Sequence, residues 1–214
     1  MGVAYYVNEE FDGRLVLKAR SSGKGDFARG IRGAVYGLWA EKTTFFDYLD
    51  TMTLAIIRGY TKAWHEGAGE VGIKPAELTD EERKALENAI YEDSSYVSRY
   101  GRDIVDGNKE SGGLLRTQYK RAELWINKYN AIRNQAKTMA GKNVKLLWQW
   151  NPMKEHCVDC GRLNGRVYRA RVWDKYGVRP QSPALACHGF LCGCRLTVTD
   201  KPATSGYPPS LSGG

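Results

Sequence analysis

Two stretches hold all five cysteines of this 214-residue chain: Cys157-Val158-Asp159-Cys160-Gly161, and Cys187-His188-Gly189-Phe190-Leu191-Cys192-Gly193-Cys194. Zinc takes about four nitrogen or sulfur ligands at tetrahedral corners, and short spacings lower the entropy cost of bringing thiolates together. A pair with two residues between them, followed by a glycine whose backbone can turn toward the sulfurs, is one half of such a site. Cys157 and Cys160 are that pair. The distal stretch offers Cys187, His188, Cys192 and Cys194, so six candidates compete for four places; Cys187 with one of Cys192 and Cys194 is the first choice, and His188 is a substitute.

Three other uses of the thiols are weaker. A disulfide framework wants an even count and an oxidising compartment, and the count here is odd. The N-terminus lacks the basic start and apolar run of a secretion signal, so a reducing cytoplasm is expected. A thioredoxin-like pair opens a helix, whereas Gly161 and the Asn164-Gly165 dipeptide predict a type I′ hairpin. Buried thiols that merely pack do not account for five cysteines so close together. A surplus of sulfur ligands with no position left for water predicts a structural rather than a catalytic zinc. Nothing else suggests an enzyme: His65-Glu66 lacks a second histidine four residues on, because position 69 is Gly, and no phosphate-binding glycine loop occurs.

The elements that must position these residues are legible from periodicity. Phe27, Ile31, Val35 and Leu38 recur at helical spacing, and Phe45, Leu49, Met52, Ile56, Tyr60 and Trp64 continue it after a break near Thr43-Thr44. Thr79 and Glu82 form a capping box that should start a helix running to about Asp106. A long helix begins near Leu114, with Gly141 as its αL stop. Val144, Leu146, Trp148 and Trp150 then alternate as a strand does, "RVYRARVW" is the expected return strand, and "CRLTVTD" a further one. The predicted fold class is α+β: an N-terminal segment (1–26), a helical domain (27–143), a zinc-stapled β domain (144–200), and a flexible or extended Pro/Gly/Ser-rich tail (201–214).

The net charge of +8 is unevenly spread. Residues 66–110 hold 12 acidic and 6 basic side chains, whereas 114–145 hold 8 basic and only Glu123 acidic. Lys120, Arg121, Lys128, Arg133 and Lys137 on the long helix, with Lys142 and Lys145 after it, are either a phosphate-binding face, or a solvated face or the complement of the acidic helix from Asp80 to Asp106. Arg162, Arg166, Arg169, Arg171 and Arg179 add weight to a polyanionic partner. No apolar run reaches the roughly 18–20 residues of a membrane span.

The order of these motifs resembles one known family. A basic helix ("KRAELWINKYNAIRNQA") leads to a Trp strand ("LLWQW"), then "HCVDCGRLNGRV", a Pro-containing spacer ("RPQSP") and a closing "CHGFLCGCRL". This is similar to the minor head proteins of tailed bacteriophages, the Mu F-like head morphogenesis family, sharply over residues 114–199 and loosely over 27–110. The resemblance implies a non-enzymatic virion protein in the head interior near the portal, made in the host cytoplasm. Its partners would be portal and capsid proteins and packaged DNA, with no small-molecule substrate. It carries metal-ligand roles onto Cys157, Cys160, Cys192 and Cys194; where the family has a histidine three residues before Cys-x-Cys, this chain has Gly189. The alternative readings are a zinc-dependent nuclease and a nucleic-acid-binding zinc ribbon.

Overall fold

The computed structural model describes residues 23–189 and 192–213, and most of the expected N-terminal segment (1–26), including Val3 to Leu17, which could pair as a strand or stay irregular, lies outside them. Five helices come first: α1 (Gly23–Trp39), α2 (Phe45–Glu70), α3 (Asp80–Ser95), α4 (Val97–Asp106) and α5 (Leu115–Ala140), with a 3₁₀ turn at Pro75–Glu77. The break before α2 is a reciprocal cap, in which the Thr44 hydroxyl accepts from the Asp47 N–H at 3.1 Å and the Asp47 carboxylate accepts from the Thr44 N–H at 3.0 Å. Thr79 and Glu82 make the same box for α3, at 3.3 and 2.7 Å. The expected single helix to Asp106 is divided at Tyr96. There the Ser95 hydroxyl donates to the Glu92 carbonyl at 2.6 Å, which gives the backbone a local alternative to the helical ladder.

Amphipathic spacing closes the bundle. Ile31, Val35, Met52, Ile56, Tyr60, Trp64, Ile104, Tyr129 and Ile132 are all buried in one core shared by the helices. Gly141 ends α5 but is not the αL stop that its position suggests: its φ is −72°, and the positive φ falls on Lys142. A Cβ at 141 would lie 2.7 Å from the Lys137 carbonyl and 3.1 Å from both Ala170 and Val71, so close approach of three segments is what requires glycine there.

The remaining elements are β1 (Lys145–Gln149), α6 (Val158–Leu163), β2 (Val167–Arg169), α7 (Ala170–Lys175) and β3 (Arg195–Val198). Strand β1 lies between β2 and β3, antiparallel to both, with Leu146 opposite Tyr168 and Val198. The expected long return strand stops at Arg169 and becomes α7, which carries Trp173 back over the sheet. A second core forms from Leu146, Trp148, Leu163, Trp173, Leu185 and Leu196, and it includes Cys160 and Cys194.

Helix α5 fastens the two cores together. Lys137, at 3 % exposure, donates to the Leu196 carbonyl at 2.8 Å and pairs with Glu70 at 2.5 Å. Asn134 accepts from the Leu196 N–H at 3.3 Å and donates to Gln181 Oε1 at 2.7 Å. Gln181 in turn donates to the carbonyls of Cys192 and Cys194 at 2.9 and 2.7 Å. A chain of buried polar contacts therefore runs from the bundle to the backbone of the distal cysteines.

The tail after β3 is extended, and it is tied down rather than free. Thr204 exchanges hydrogen bonds with the backbone of Val167 on β2, Tyr168 donates to the Tyr207 carbonyl, and Leu211 packs on the second core. Edge pairing and apolar contact outweigh the disorder that its Pro/Gly/Ser composition suggests.

Candidate metal centre

Cys157 is the N-cap of α6: its backbone is extended, and its sulfur accepts from the Cys160 N–H at 3.5 Å. The Cys-x-x-Cys stretch thus opens a short helix, contrary to the expected hairpin. Asn164 has φ −58° and ψ 132°, Gly165 has φ +80°, and the Arg166 N–H donates to the Leu163 carbonyl at 3.0 Å. That is a type II turn, in which only the second central residue needs positive φ. Asn164 is better used elsewhere, since its side-chain oxygen accepts from the Trp150 N–H at 3.1 Å. A helical Cys-x-x-Cys removes the hairpin ground for setting redox chemistry aside, so the choice rests on the other sulfurs.

Those sulfurs converge. Cys157, Cys160 and Cys187 have their Sγ atoms within 4.8 Å of one another, and so do Cys160, Cys192 and Cys194. All five are free thiols in one cluster that could hold a metal ion, with Cys160 common to both triads. The Cys160–Cys192 separation is 3.8 Å, close to the edge of about 3.8 Å of a tetrahedron with arms of about 2.3 Å. Cys160 and Cys194 are buried, whereas Cys157, Cys187 and Cys192 face a cleft that Lys154, Glu155 and His156 also line. Protons are unequally held. Contacts with the Cys160 and Cys194 sulfurs hold the Cys192 pKa well below the usual thiol range, while Cys160 is pushed up by its contacts with Cys192 and Cys194 and by burial. Burial raises Cys157, but donors on Cys160 and Cys187 more than offset it, and the net shift is downward.

The histidine at the site is not the one expected. His188 is exposed, with its Nδ1 3.2 Å from the Pro183 carbonyl. His156 instead places Nδ1 3.8 Å from Cys194 Sγ. Its Nε2 lies 2.8 Å from the Asn151 carbonyl, which can only accept, so in the neutral ring Nε2 carries the proton and the Nδ1 lone pair faces the sulfurs. Trp150 stacks on the ring at 4.8 Å and fixes its plane. The signal in the sequence is the position of this histidine directly before Cys157.

Protein-family models, curated proteins and solved structures give no match to this chain. The site is therefore read from its own geometry.

Asp159, between the two proximal cysteines, is a second residue that the spacing does not reveal. It is 1 % exposed and accepts from the Ala186 N–H at 2.8 Å, the Ser212 N–H at 3.0 Å and the Ser212 hydroxyl at 2.9 Å. It thus ties α6 to the distal cysteine loop and to the tail. Asp159→Ala would leave these donors without their charged acceptor, at a cost of about 3 kcal/mol. The expected outcome is selective release of the tail, seen as proteolytic cleavage after Tyr207 while residues 23–140 stay resistant.

The basic face of α5 is largely spoken for within the molecule. Arg121 pairs with Asp103 at 2.5 Å, Lys128 with Asp93 at 3.9 Å, Arg133 with Glu66 and Glu70, and Lys137 with Glu70. Lys120 is exposed. The acidic partners lie on α2, α3 and α4, so the geometry favours the intramolecular complement over a phosphate-binding face, and Lys137 is too deeply buried to reach an outside polyanion.

Proposed function

We propose that the chain is a non-enzymatic structural protein of the tailed-bacteriophage head, of the Mu F-like morphogenesis type, in which the cysteine cluster holds zinc as a staple. One observation carries the zinc reading: sulfurs far apart in sequence, at the cap and first turn of α6 and on the loop that leads into β3, converge with a tautomer-fixed histidine beside them. Soft donors in surplus suit zinc and leave no position for the water that a hydrolytic centre needs. Bound there, zinc would supply the cross-link that a sheet of three short strands cannot supply by itself. Asn134, Gln181 and Lys137 would pass that rigidity to the bundle.

The order of basic helix, Trp strand and cysteine motifs supports the head-protein assignment. The ion pairs along α5 favour portal or capsid protein over DNA as the principal partner. Peptide mass spectrometry of purified particles from a phage that encodes the chain tests this: the chain should be present at a few copies per head and remain after DNA is released. Its absence from particles would contradict the assignment.

A further inference from the structure

We propose that the cluster is a two-metal centre bridged by the Cys160 thiolate, with one ion held by Cys157, Cys160 and Cys187 and the other by Cys160, Cys192, Cys194 and His156. This rests on the zinc reading above and deepens it.

A single tetrahedral ion needs four donors around one point. The sulfurs are arranged instead as two triads that share one member, each compact enough to face its own ion. Cys160 sits at the junction: it is nearly fully buried, and it is 3.8 Å from Cys192 on one side while its N–H bonds Cys157 on the other. A thiolate has several lone pairs and can serve two ions from that position. His156 completes the inner triad, since its Nδ1 faces Cys194 and its other nitrogen is fixed by the Asn151 carbonyl.

The donor count closes on the same arrangement. Five sulfurs and one imidazole fill the eight positions of two tetrahedra when two of the sulfurs bridge. Cys192, 3.8 Å from Cys160, is the second bridge in this arrangement. A single ion would leave two of the six donors without a role.

The test is metal stoichiometry on the full chain, purified under reducing conditions with zinc and dialysed against metal-free buffer, by elemental analysis and native mass spectrometry. Two zinc ions per wild-type chain are expected. Cys187→Ser should lower this to one while the near-ultraviolet signal of Trp148 and Trp173 persists, and Cys160→Ser should remove both. His156→Ala, at the rim of the cluster, should keep the fold and lose one ion at least tenfold more readily to a chelator. One zinc in the wild type would overturn the bridged centre and leave the single-ion staple standing; none would overturn both; two that survive Cys187→Ser would place the second ion elsewhere and overturn the bridge.

Discussion

Cys160→Ser should abolish zinc binding and dissolve the tertiary order of residues 144–213 while the helices of the bundle persist. Cys160 is the common member of both sulfur triads and is 1 % exposed, so serine puts a weak, protonated ligand where no water can substitute. Structural zinc contributes an apparent roughly 10–16 kcal/mol in small domains, as large as the whole stability of a typical fold, and the small second core would lose that contribution. The bundle has its own core over residues 27–140, which includes none of the cysteines. Far-ultraviolet circular dichroism should therefore keep most of its helical signal while the near-ultraviolet bands of Trp148 and Trp173 collapse. Bundle stability should fall only modestly, because Lys137 and Asn134 lose their partners on β3. Joint loss of both signals would mean that the two cores form one cooperative unit.

Trp173→Ala should weaken the same part of the chain by a different route and by a smaller amount. The side chain is fully buried; its ring meets Tyr168 edge-on at 4.9 Å and Trp148 at 5.7 Å, and its N–H donates to the Leu146 carbonyl at 3.0 Å. Truncation leaves a cavity at the centre of the second core and costs about 3–5 kcal/mol. The ligands are untouched, so the variant should still bind zinc but become metal-dependent for folding. In urea titrations it should unfold over residues 144–213 at low denaturant without zinc and recover with zinc, a dependence that the wild type shows less sharply. Equal destabilisation with and without zinc would separate metal binding from the packing of this core.

Much of the scaffold was legible because it is written in local rules. Thr79 and Glu82 announce a cap, the apolar spacing from Phe27 to Trp64 announces two buried helix faces, and Leu146 and Trp148 mark a strand. The departures arise where contacts distant in sequence decide. Asn164-Gly165 favours a hairpin in isolation, but the N-cap role of Cys157 and the bond from Trp150 to Asn164 draw the segment into a helix and a type II turn. Gly141 matches a helix stop by position, yet the nearness of Val71 and Ala170 decides its use. The serine pair before Tyr96 divides a helix whose periodicity alone runs on.

The site followed the same division. That five cysteines would gather was visible from their spacing. That His156 rather than His188 would face them depends on the Asn151 carbonyl and the Trp150 ring, which chain order does not disclose. Asp159 looks like a spacer between ligands until the tail folds back to give it Ser212. The basic run on α5 was ambiguous for a physical reason: charge pattern along one helix does not say whether the opposite charges of another lie against it, and here they do.

A zinc staple, a redox pair and idle core thiols differ in what surrounds a bound metal, which X-ray absorption at the zinc edge reads on the full chain purified under reducing conditions. The staple should give a first shell dominated by sulfur at about 2.3 Å with a minor nitrogen contribution at about 2.0 Å. A shell of oxygen and nitrogen alone, or no zinc in a protein whose five thiols all remain free to react, would contradict it.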